Sequence, residues 1–220
     1  MRTGQILERV PAAGARALAA IGVEFHGRGW SVGTSSNYSV VLSRDPLRLL
    51  ITASGKDKGR LGVDDFVIVD DAGRAIDPSM PKPSAETMLH AVLARDPGIG
   101  SVLHTHSIWA TLLSDRFAAE GALAIEGYEM LKGLSGVGTH EHTERIPIFA
   151  NTQDIPDLAR RLEARRADPV RKGVDHGFLL ARHGLYTWGA DLGEARRHVE
   201  VLEFLFEVVG RRLTLESARR

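Results

Sequence analysis

Residues 99–113, which read IGSVLHTHSIWATLL, have the pattern of a strand that passes directly into a helix. The apolar run Ile99–Leu103 predicts a short strand, and Ile108–Leu113 predicts a short helix. Side chains alternate between the two faces of a strand, so His104 and His106 are expected to point the same way. This stretch therefore predicts a strand–helix unit with two imidazoles at the end of the strand.

Short apolar runs and helical patterns continue to alternate on both sides of this unit. Further strands are predicted at Tyr38–Leu42, Leu47–Thr52, Phe66–Val69, Phe178–Ala181 and Leu185–Trp188. Further helices are predicted at Ala12–Ile21, from Ser84 as N-cap to Arg95, at Thr152–Arg166, and from the cap Asp191 to about Val209. Strands interleaved with helices indicate layered α/β architecture rather than a pure β barrel.

The composition limits the classes of function. The 220 residues, 43% of them hydrophobic, predict one globular domain over residues 1–220. Twenty-eight basic residues balance 28 acidic ones, and no apolar run approaches the ~20 residues of a membrane helix, so neither nucleic acid nor membrane is expected as a partner. Cysteine is absent and residues 1–9 bring charges before any apolar signal core, which favours the cytoplasm.

Histidine is the residue type that points to chemistry, with nine copies. The His104–His106 pair can hold a metal ion, although polar residues where a strand leaves the core would give the same spacing. A catalytic site usually takes three protein ligands and keeps one position open. His183 is the best third candidate on spacing, since it follows the apolar run 178–181 and precedes Gly184.

Other histidines compete for these roles. His140 and His142 have the same spacing as the first pair, but they lie in a glycine-flanked segment that is typical of a mobile loop. The alternatives for the third ligand are His26, His90, His176 and His198, of which His90 and His198 lie inside helical patterns that favour structural roles. Nitrogen ligands without thiolate favour a divalent transition metal, with zinc first and Fe²⁺, Mn²⁺ or Co²⁺ left open.

Five short motifs occur in an order that resembles the class II aldolase/adducin family. They are the Gly/Ser loop that ends in Asn37, Thr52–Gly55, Lys82–Glu86, His104–His106 and Arg182–Gly184. The resemblance covers roughly residues 12–209. It implies a three-layer α/β/α domain with a central, mainly antiparallel sheet. It also implies a homo-oligomer, commonly a tetramer, with active sites at subunit interfaces.

The resemblance also implies roles for particular residues. His104, His106 and His183 match the family's ligands for one zinc ion per subunit. The segment Gly127–Gly133 is similar to the dehydratase branch, which removes water from 5-methylthioribulose 1-phosphate in methionine salvage. Glu129 matches the catalytic acid/base of that branch, which requires a raised pKa in a partly dry pocket. Without the resemblance, an exposed glutamate in a loop or at a helix start is the preferred interpretation.

A sugar-phosphate pocket is implied at five polar positions, Ser36, Asn37, Ser54, Gly55 and Ser84. Hydroxyls and backbone N–H groups of such loops bind anions well, and Lys56 and Lys132 could add charge. Taken singly, each serine is better explained by a turn or cap, and each lysine by a solvated surface. Taken together, in a chain with a histidine metal site, they favour a phosphate role. Two positions depart from the aldolase pattern, because Ser36 stands where glycine is frequent and Ala85 where a second serine is frequent.

Two other functions stay open at this point. Glu86 falls on the catalytic glutamate of the aldolases, which favours a sugar-phosphate aldolase or 4-epimerase acting on fuculose or ribulose phosphates. The Glu129 segment speaks against that alternative and leaves Glu86 with an expected role in helix initiation and pocket shape. Adducin-like members are non-catalytic interaction domains, and those are expected to lack the histidine set that is intact here.

Overall fold

The histidine-bearing strand lies near the middle of an eight-stranded sheet in a computed structural model that describes residues 10–168 and 176–219. The charged stretch 1–9 lies outside the described residues. In chain order the strands are β1 (Asn37–Arg44), β2 (Leu47–Thr52), β3 (Phe66–Val69), β4 (Ser101–Thr105), β5 (Ala122–Ile125), β6 (Glu144–Phe149), β7 (Gly177–Leu180) and β8 (Gly184–Gly189). Their order across the sheet is β3-β2-β1-β4-β8-β7-β6-β5, and only the β6–β7 pair within it is parallel.

Helices cover both faces of this sheet. They are α1 (Ala12–Gly27), α2 (Thr87–Ala94), α3 (Ile108–Arg116), α4 (Ile155–Ala167) and α5 (Leu192–Ser217). Apolar side chains of α1, α3 and α5 pack on one face of the sheet, and those of α2 and α4 pack on the other. The predicted three-layer α/β/α fold with a mainly antiparallel sheet is therefore confirmed.

The last helix has the N-terminal signal that its sequence predicts. Asp191 is the N-cap, and its carboxylate accepts a hydrogen bond from the backbone N–H of Glu194 at 2.8 Å. The Glu194 carboxylate accepts in turn from Ala190 N–H rather than from the cap residue itself. None of the helices in the described ranges is both long and apolar enough to cross a bilayer.

Two boundaries differ from the sequence expectation. Helix α2 begins at Thr87 instead of directly after Ser84, and Glu86 holds the N-cap position. The Ser84 hydroxyl accepts from Glu86 N–H at 3.4 Å and from the Asn37 side chain at 3.2 Å. Helix α4 begins at Ile155, where Asp154 supplies the cap by accepting from Asp157 N–H. In both cases a polar residue that precedes the helix, Ser84 or Thr152, lines a cleft that is described below.

Strands β5 and β6 were not predicted from the sequence. Strand β5 is only four residues long and lies at the edge of the sheet. Strand β6 contains Pro147, a residue that normally argues against a strand between two neighbours. Pro147 is tolerated because β7 pairs with β6 only at Ile148 and Phe149, beyond the proline.

Candidate metal centre and substrate cleft

The pairing of β4 with β8 brings the predicted histidines together. His104 lies opposite Tyr186 in the register, and its fully buried ring stacks on the Tyr186 ring with centroids 3.9 Å apart. His106 follows the last residue of β4, and its backbone N–H donates to the Trp30 carbonyl at 2.7 Å. His183 lies in the turn between β7 and β8, next to the end of β4.

Gly184 makes this close approach possible. A Cβ atom at this position would lie 2.0 Å from the Thr105 carbonyl oxygen, so a larger residue would push the His183 turn away from β4. The glycine in Arg182-His183-Gly184 therefore sets how near the third histidine comes to the other two.

The three imidazoles converge on one point. His106 Nε2 lies 2.7 Å from His104 Nε2 and 3.1 Å from His183 Nε2. Among the described residues, these three side chains form the one group of at least three potential metal ligands whose ligand atoms all lie within 4.8 Å of one another. The structure thus places all three sequence-predicted ligands together.

The hydrogen bonds around the cluster orient its lone pairs inward. His104 Nδ1 lies 2.8 Å from the Leu185 carbonyl, which assigns the proton to Nδ1 and leaves Nε2 free. His183 Nδ1 lies 3.3 Å from Asn151 Oδ1, which favours the same tautomer. Burial holds the pKa of His104 well below its usual value and lowers the pKa of His106 to about 4, so both rings are neutral near pH 7. Inward-facing nitrogen lone pairs repel one another without a cation, so this donor set fits a divalent metal ion.

Glu86 lies against the same cluster. Its carboxylate oxygens are 3.4 Å from His104 Nε2 and 3.5 Å from His183 Nε2, and Asn37 Nδ2 donates to one of them at 2.9 Å. Glu86 occupies the N-cap position of α2, but its side chain makes no capping hydrogen bond. Glu86 thus makes no capping hydrogen bond, and its carboxylate lines the cleft beside the histidines, in line with the expected role in pocket shape.

A cleft of about 250 Å³ opens beside the histidines. The five residues predicted for a phosphate pocket all line it, together with His106 and His183: Ser36, Asn37, Ser54, Gly55 and Ser84. Thr152 and Gln153, which precede α4, also line it. Hydroxyl, amide and imidazole groups therefore face the same cleft.

A buried histidine orients the Asn37 amide within this cleft. His90 Nε2 donates to Asn37 Oδ1, while His90 Nδ1 accepts from the Ser39 hydroxyl at 2.8 Å. Burial lowers the pKa of His90 to about 3, so the ring stays neutral. The Asn37 amide nitrogen is then directed at Ser84 Oγ and the Glu86 carboxylate. The structural role favoured for His90 agrees with this placement.

Lysine placement differs from the sequence expectation. The Lys56 side chain pairs with Asp65 at 2.8 Å and the Lys132 side chain with Glu129 at 2.7 Å, and neither lysine lines the cleft. Lys58, which was not predicted as a site residue, does line the cleft. The signal available in the sequence was its position three residues after Gly55, the last residue of the Thr52–Gly55 motif.

Glu129 does not reach the cleft of its own chain. It begins the 3₁₀ turn Glu129–Gly133, and its side chain is 72% exposed. The Lys132 ammonium donates to the carboxylate and holds the pKa of Glu129 below its usual value. The expectation of a raised pKa in a partly dry pocket is therefore wrong within a single chain.

The competing histidines lie away from the cluster. His140 lies 3.7 Å from the Glu129 carboxylate, and His142 Nε2 lies 2.9 Å from the Glu144 carboxylate. The alternative third ligands bind elsewhere: His26 to the Ser31 carbonyl, His176 to Glu144, and His198 to the Trp188 carbonyl.

Comparison with known proteins gives the same family as the motifs. Residues 16–209 match the Class II Aldolase and Adducin N-terminal domain. The chain belongs to the class II aldolase and adducin family. Solved members share its fold: L-fuculose-1-phosphate aldolase from Thermus thermophilus superimposes with a TM-score of 0.69 at 22% identity, over 92% of this chain and 96% of that one.

Closer sequence relatives in the family carry one name. Methylthioribulose-1-phosphate dehydratase of Pseudomonas aeruginosa strain LESB58 is 50% identical over 185 residues, which cover 83% of this chain and 86% of that protein. The enzyme of the same name from Pectobacterium atrosepticum is 50% identical over 192 residues, or 86% and 90% of the two chains. The family is typically metal-dependent, and the histidine cluster of this member is suited to hold the metal.

Proposed function

We propose that this chain is a zinc-dependent methylthioribulose-1-phosphate dehydratase of the cytoplasm, acting in methionine salvage. It would convert 5-methylthioribulose 1-phosphate to 2,3-diketo-5-methylthiopentyl 1-phosphate. The observation that carries the proposal is the histidine cluster beside a hydroxyl-lined cleft, in a chain half identical to proteins of that name. The same cleft offers imidazoles that could hold a metal for the ketone and hydroxyl and amide groups that could hold the phosphate.

The reaction removes the C3 proton and the C4 hydroxyl of the substrate. A zinc ion held by His104, His106 and His183 would supply Lewis acidity at the C2 ketone. The chain must supply the rest: Ser36, Asn37 and the other loop groups hold the phosphate, which fixes C3 and C4 relative to the histidines. Hydroxide is a poor leaving group, so a positioned acid must protonate the C4 oxygen.

Glu129 is proposed as that acid/base, contributed by a neighbouring copy of the chain. In its own chain the carboxylate faces solvent and is held ionised by Lys132, so it can neither reach the C4 oxygen nor donate a proton to it. Insertion into the cleft of a second copy would remove both water and Lys132 and would raise the pKa. This proposal therefore requires a homo-oligomer, and a homotetramer is the form proposed.

The direct test is incubation of the zinc-loaded protein with 5-methylthioribulose 1-phosphate. We expect diketone to form, which NMR detects as loss of the C3 proton signal and appearance of a CH2 group at C4, without release of an aldehyde. The second candidate, a sugar-phosphate aldolase or 4-epimerase, is favoured by the position of Glu86 beside the histidines. Aldehyde release from this substrate, or cleavage of fuculose 1-phosphate with no diketone, would support that candidate instead.

Co-expression of two inactive variants tests the shared site. His183→Ala lacks the metal ligand but keeps Glu129, whereas Glu129→Gln keeps the metal ligands but lacks the acid. If Glu129 acts across an interface, about a quarter of the sites in randomly mixed oligomers are complete and activity returns. If Glu129 acts within its own chain, every site lacks one group and the mixture stays inactive.

A further inference from the structure

Lys58 is a fully buried lysine in a fixed piece of backbone. Its side chain is 1% exposed, and it begins the one-turn 3₁₀ helix Lys58–Arg60. Helix α1 presses on this turn: a Cβ on Gly22 would lie 2.3 Å from the Lys58 carbonyl oxygen, and one on Gly59 would lie 2.8 Å from the His26 ring. The backbone position of Lys58 is therefore fixed by close packing against α1.

The Lys58 ammonium joins two loops of the cleft. Its Nζ donates to the Thr34 carbonyl at 3.2 Å and to the Lys56 carbonyl at 2.7 Å. Those carbonyls belong to the Gly/Ser loop before β1 and to the loop after β2, which carry the predicted phosphate residues. An ammonium has three N–H donors, so two are used by the backbone and one remains.

No counterion balances this charge within residues 10–168 and 176–219, where no carboxylate oxygen lies within 4.0 Å of Lys58 Nζ. The acidic groups that act on it are Asp57 and Asp65, and both carboxylates are already engaged. Asp57 accepts from Gly59 N–H, and Asp65 pairs with Lys56. A buried charge without a partner is costly, so the site favours an anion that enters from outside the chain.

We propose that Lys58 is the cationic contact for the substrate phosphate and that it ties the two phosphate-binding loops together. The inference deepens the proposed function, since it rests on the same cleft and on a phosphorylated substrate. Lys58 lines that cleft together with Ser36, Asn37, Ser54 and Gly55. A phosphate held by these groups would accept from the remaining ammonium proton and from the loop hydroxyls.

The charge state of Lys58 makes the idea measurable. Burial lowers the pKa of Lys58 to about 8, although the nearby Asp57 and Asp65 raise it in part. The charge of Lys58 also acts on His106, which lines the same cleft. A bound dianion favours the charged lysine, so binding near pH 8 takes up a proton and becomes weaker as the pH rises above 8.

The test compares three charge-neutralised or truncated variants of the zinc-loaded protein. Lys58→Gln keeps N–H donors for the two carbonyls but removes the charge, and Lys58→Met removes both. Lys56→Gln is the matched control, because it removes the same charge from an exposed side chain two residues away. Calorimetry with inorganic phosphate at pH 7.0 and 8.0 gives affinity and proton uptake without requiring turnover.

We expect Lys58→Gln and Lys58→Met to weaken phosphate binding about 10- to 100-fold, the loss of a charge-assisted hydrogen bond, while Lys56→Gln changes it less than about twofold. Wild type should take up about half a proton more per phosphate at pH 8.0 than Lys58→Gln does. Unchanged affinity in Lys58→Gln, or equal losses in Lys56→Gln, would overturn the assignment. Absence of turnover with normal phosphate binding would count against the dehydratase proposal alone.

Discussion

The histidine cluster and the Glu129 segment are built in opposite ways. His104 lies in a central strand and is completely buried, and His106 follows the last residue of that strand. Glu129 stands on a single 3₁₀ turn with most of its side chain in solvent. One chain can therefore pre-organise the proposed metal ligands and the cleft, but it leaves the proposed proton donor exposed to solvent. The difference indicates that the proposed metal site needs only the fold of one chain, whereas the proposed proton transfer needs a second copy.

The chain just after the Glu129–Gly133 turn is nonetheless held by hydrogen bonds at Ser135. The Ser135 backbone N–H donates to His198 Nε2 at 3.1 Å, and His176 Nε2 donates to the Ser135 carbonyl at 2.8 Å. His176 in turn bonds to the buried Glu144 carboxylate at 3.0 Å. Two histidines therefore hold the backbone just after the Glu129–Gly133 turn in place.

Loss of a metal ligand is expected to have the largest effect. His183→Ala removes one of three converging nitrogens, so it should abolish both metal binding and turnover while the far-UV circular dichroism spectrum stays unchanged. Metal content by atomic emission checks this directly. His140→Ala is the control and should keep full metal, since His140 lies with Glu129. Full metal occupancy in His183→Ala would show that the ligand set is wrong.

Removal of the proposed acid comes next. Glu129→Gln preserves size but cannot move a proton, so we expect kcat to fall by about 10²–10⁴-fold with metal and phosphate binding retained. Single-turnover and metal measurements separate these effects. Glu86→Gln is the contrasting variant: it removes a negative charge beside His104 and His183, so it should lower metal affinity more than the chemical step. A dead Glu86→Gln with full metal, beside a nearly normal Glu129→Gln, would favour the aldolase alternative.

The sequence predicted more of the histidine cluster than of the surroundings of Glu129. Same-face spacing identified His104 and His106, because a two-residue period is visible within one strand. His183 was one of several candidates, since the β4–β8 register that places it is a long-range pairing with no local signal. The motif resemblance supplied what spacing alone left open.

Context-dependent roles were harder to predict. The sequence around Lys58 is typical of a surface lysine, and only its packing against Gly22 of α1 shows that it is buried. The lysines predicted to add charge were Lys56 and Lys132 instead. Glu86 matched a helix-start pattern, but its side chain is drawn instead to Asn37 and the histidines. In each case a tertiary contact decided the role of a residue whose local sequence favoured a simpler one.

Weakening the phosphate end should have a smaller effect than loss of the acid. Asn37→Ala removes the amide that links Ser84 and Glu86, so we expect KM for the phosphorylated sugar to rise about 10-fold through one lost hydrogen bond and its unsatisfied partners. Steady-state kinetics with phosphorylated and unphosphorylated methylthioribulose measure this. Wild type should handle the unphosphorylated sugar poorly. Equal turnover of both sugars by wild type would contradict a phosphate pocket.

The smallest effect on catalysis is expected from a buried carboxylate beneath the metal centre. Glu203 of α5 accepts from the Thr105 hydroxyl at 2.9 Å, and Thr105 separates the two ligands of β4. Burial raises the pKa of Glu203 to about 7, so the folded protein keeps a proton that the unfolded chain releases above about pH 4.5. The stability linked to this proton is complete at low pH and is lost as the pH rises through 7. Glu203→Gln mimics the neutral acid, so urea unfolding should show similar stability at pH 5 and a gain of up to about 3 kcal/mol for the variant at pH 8, with metal content unchanged. A variant less stable than wild type at pH 8 would mean that ionised Glu203 supports the metal-binding strand.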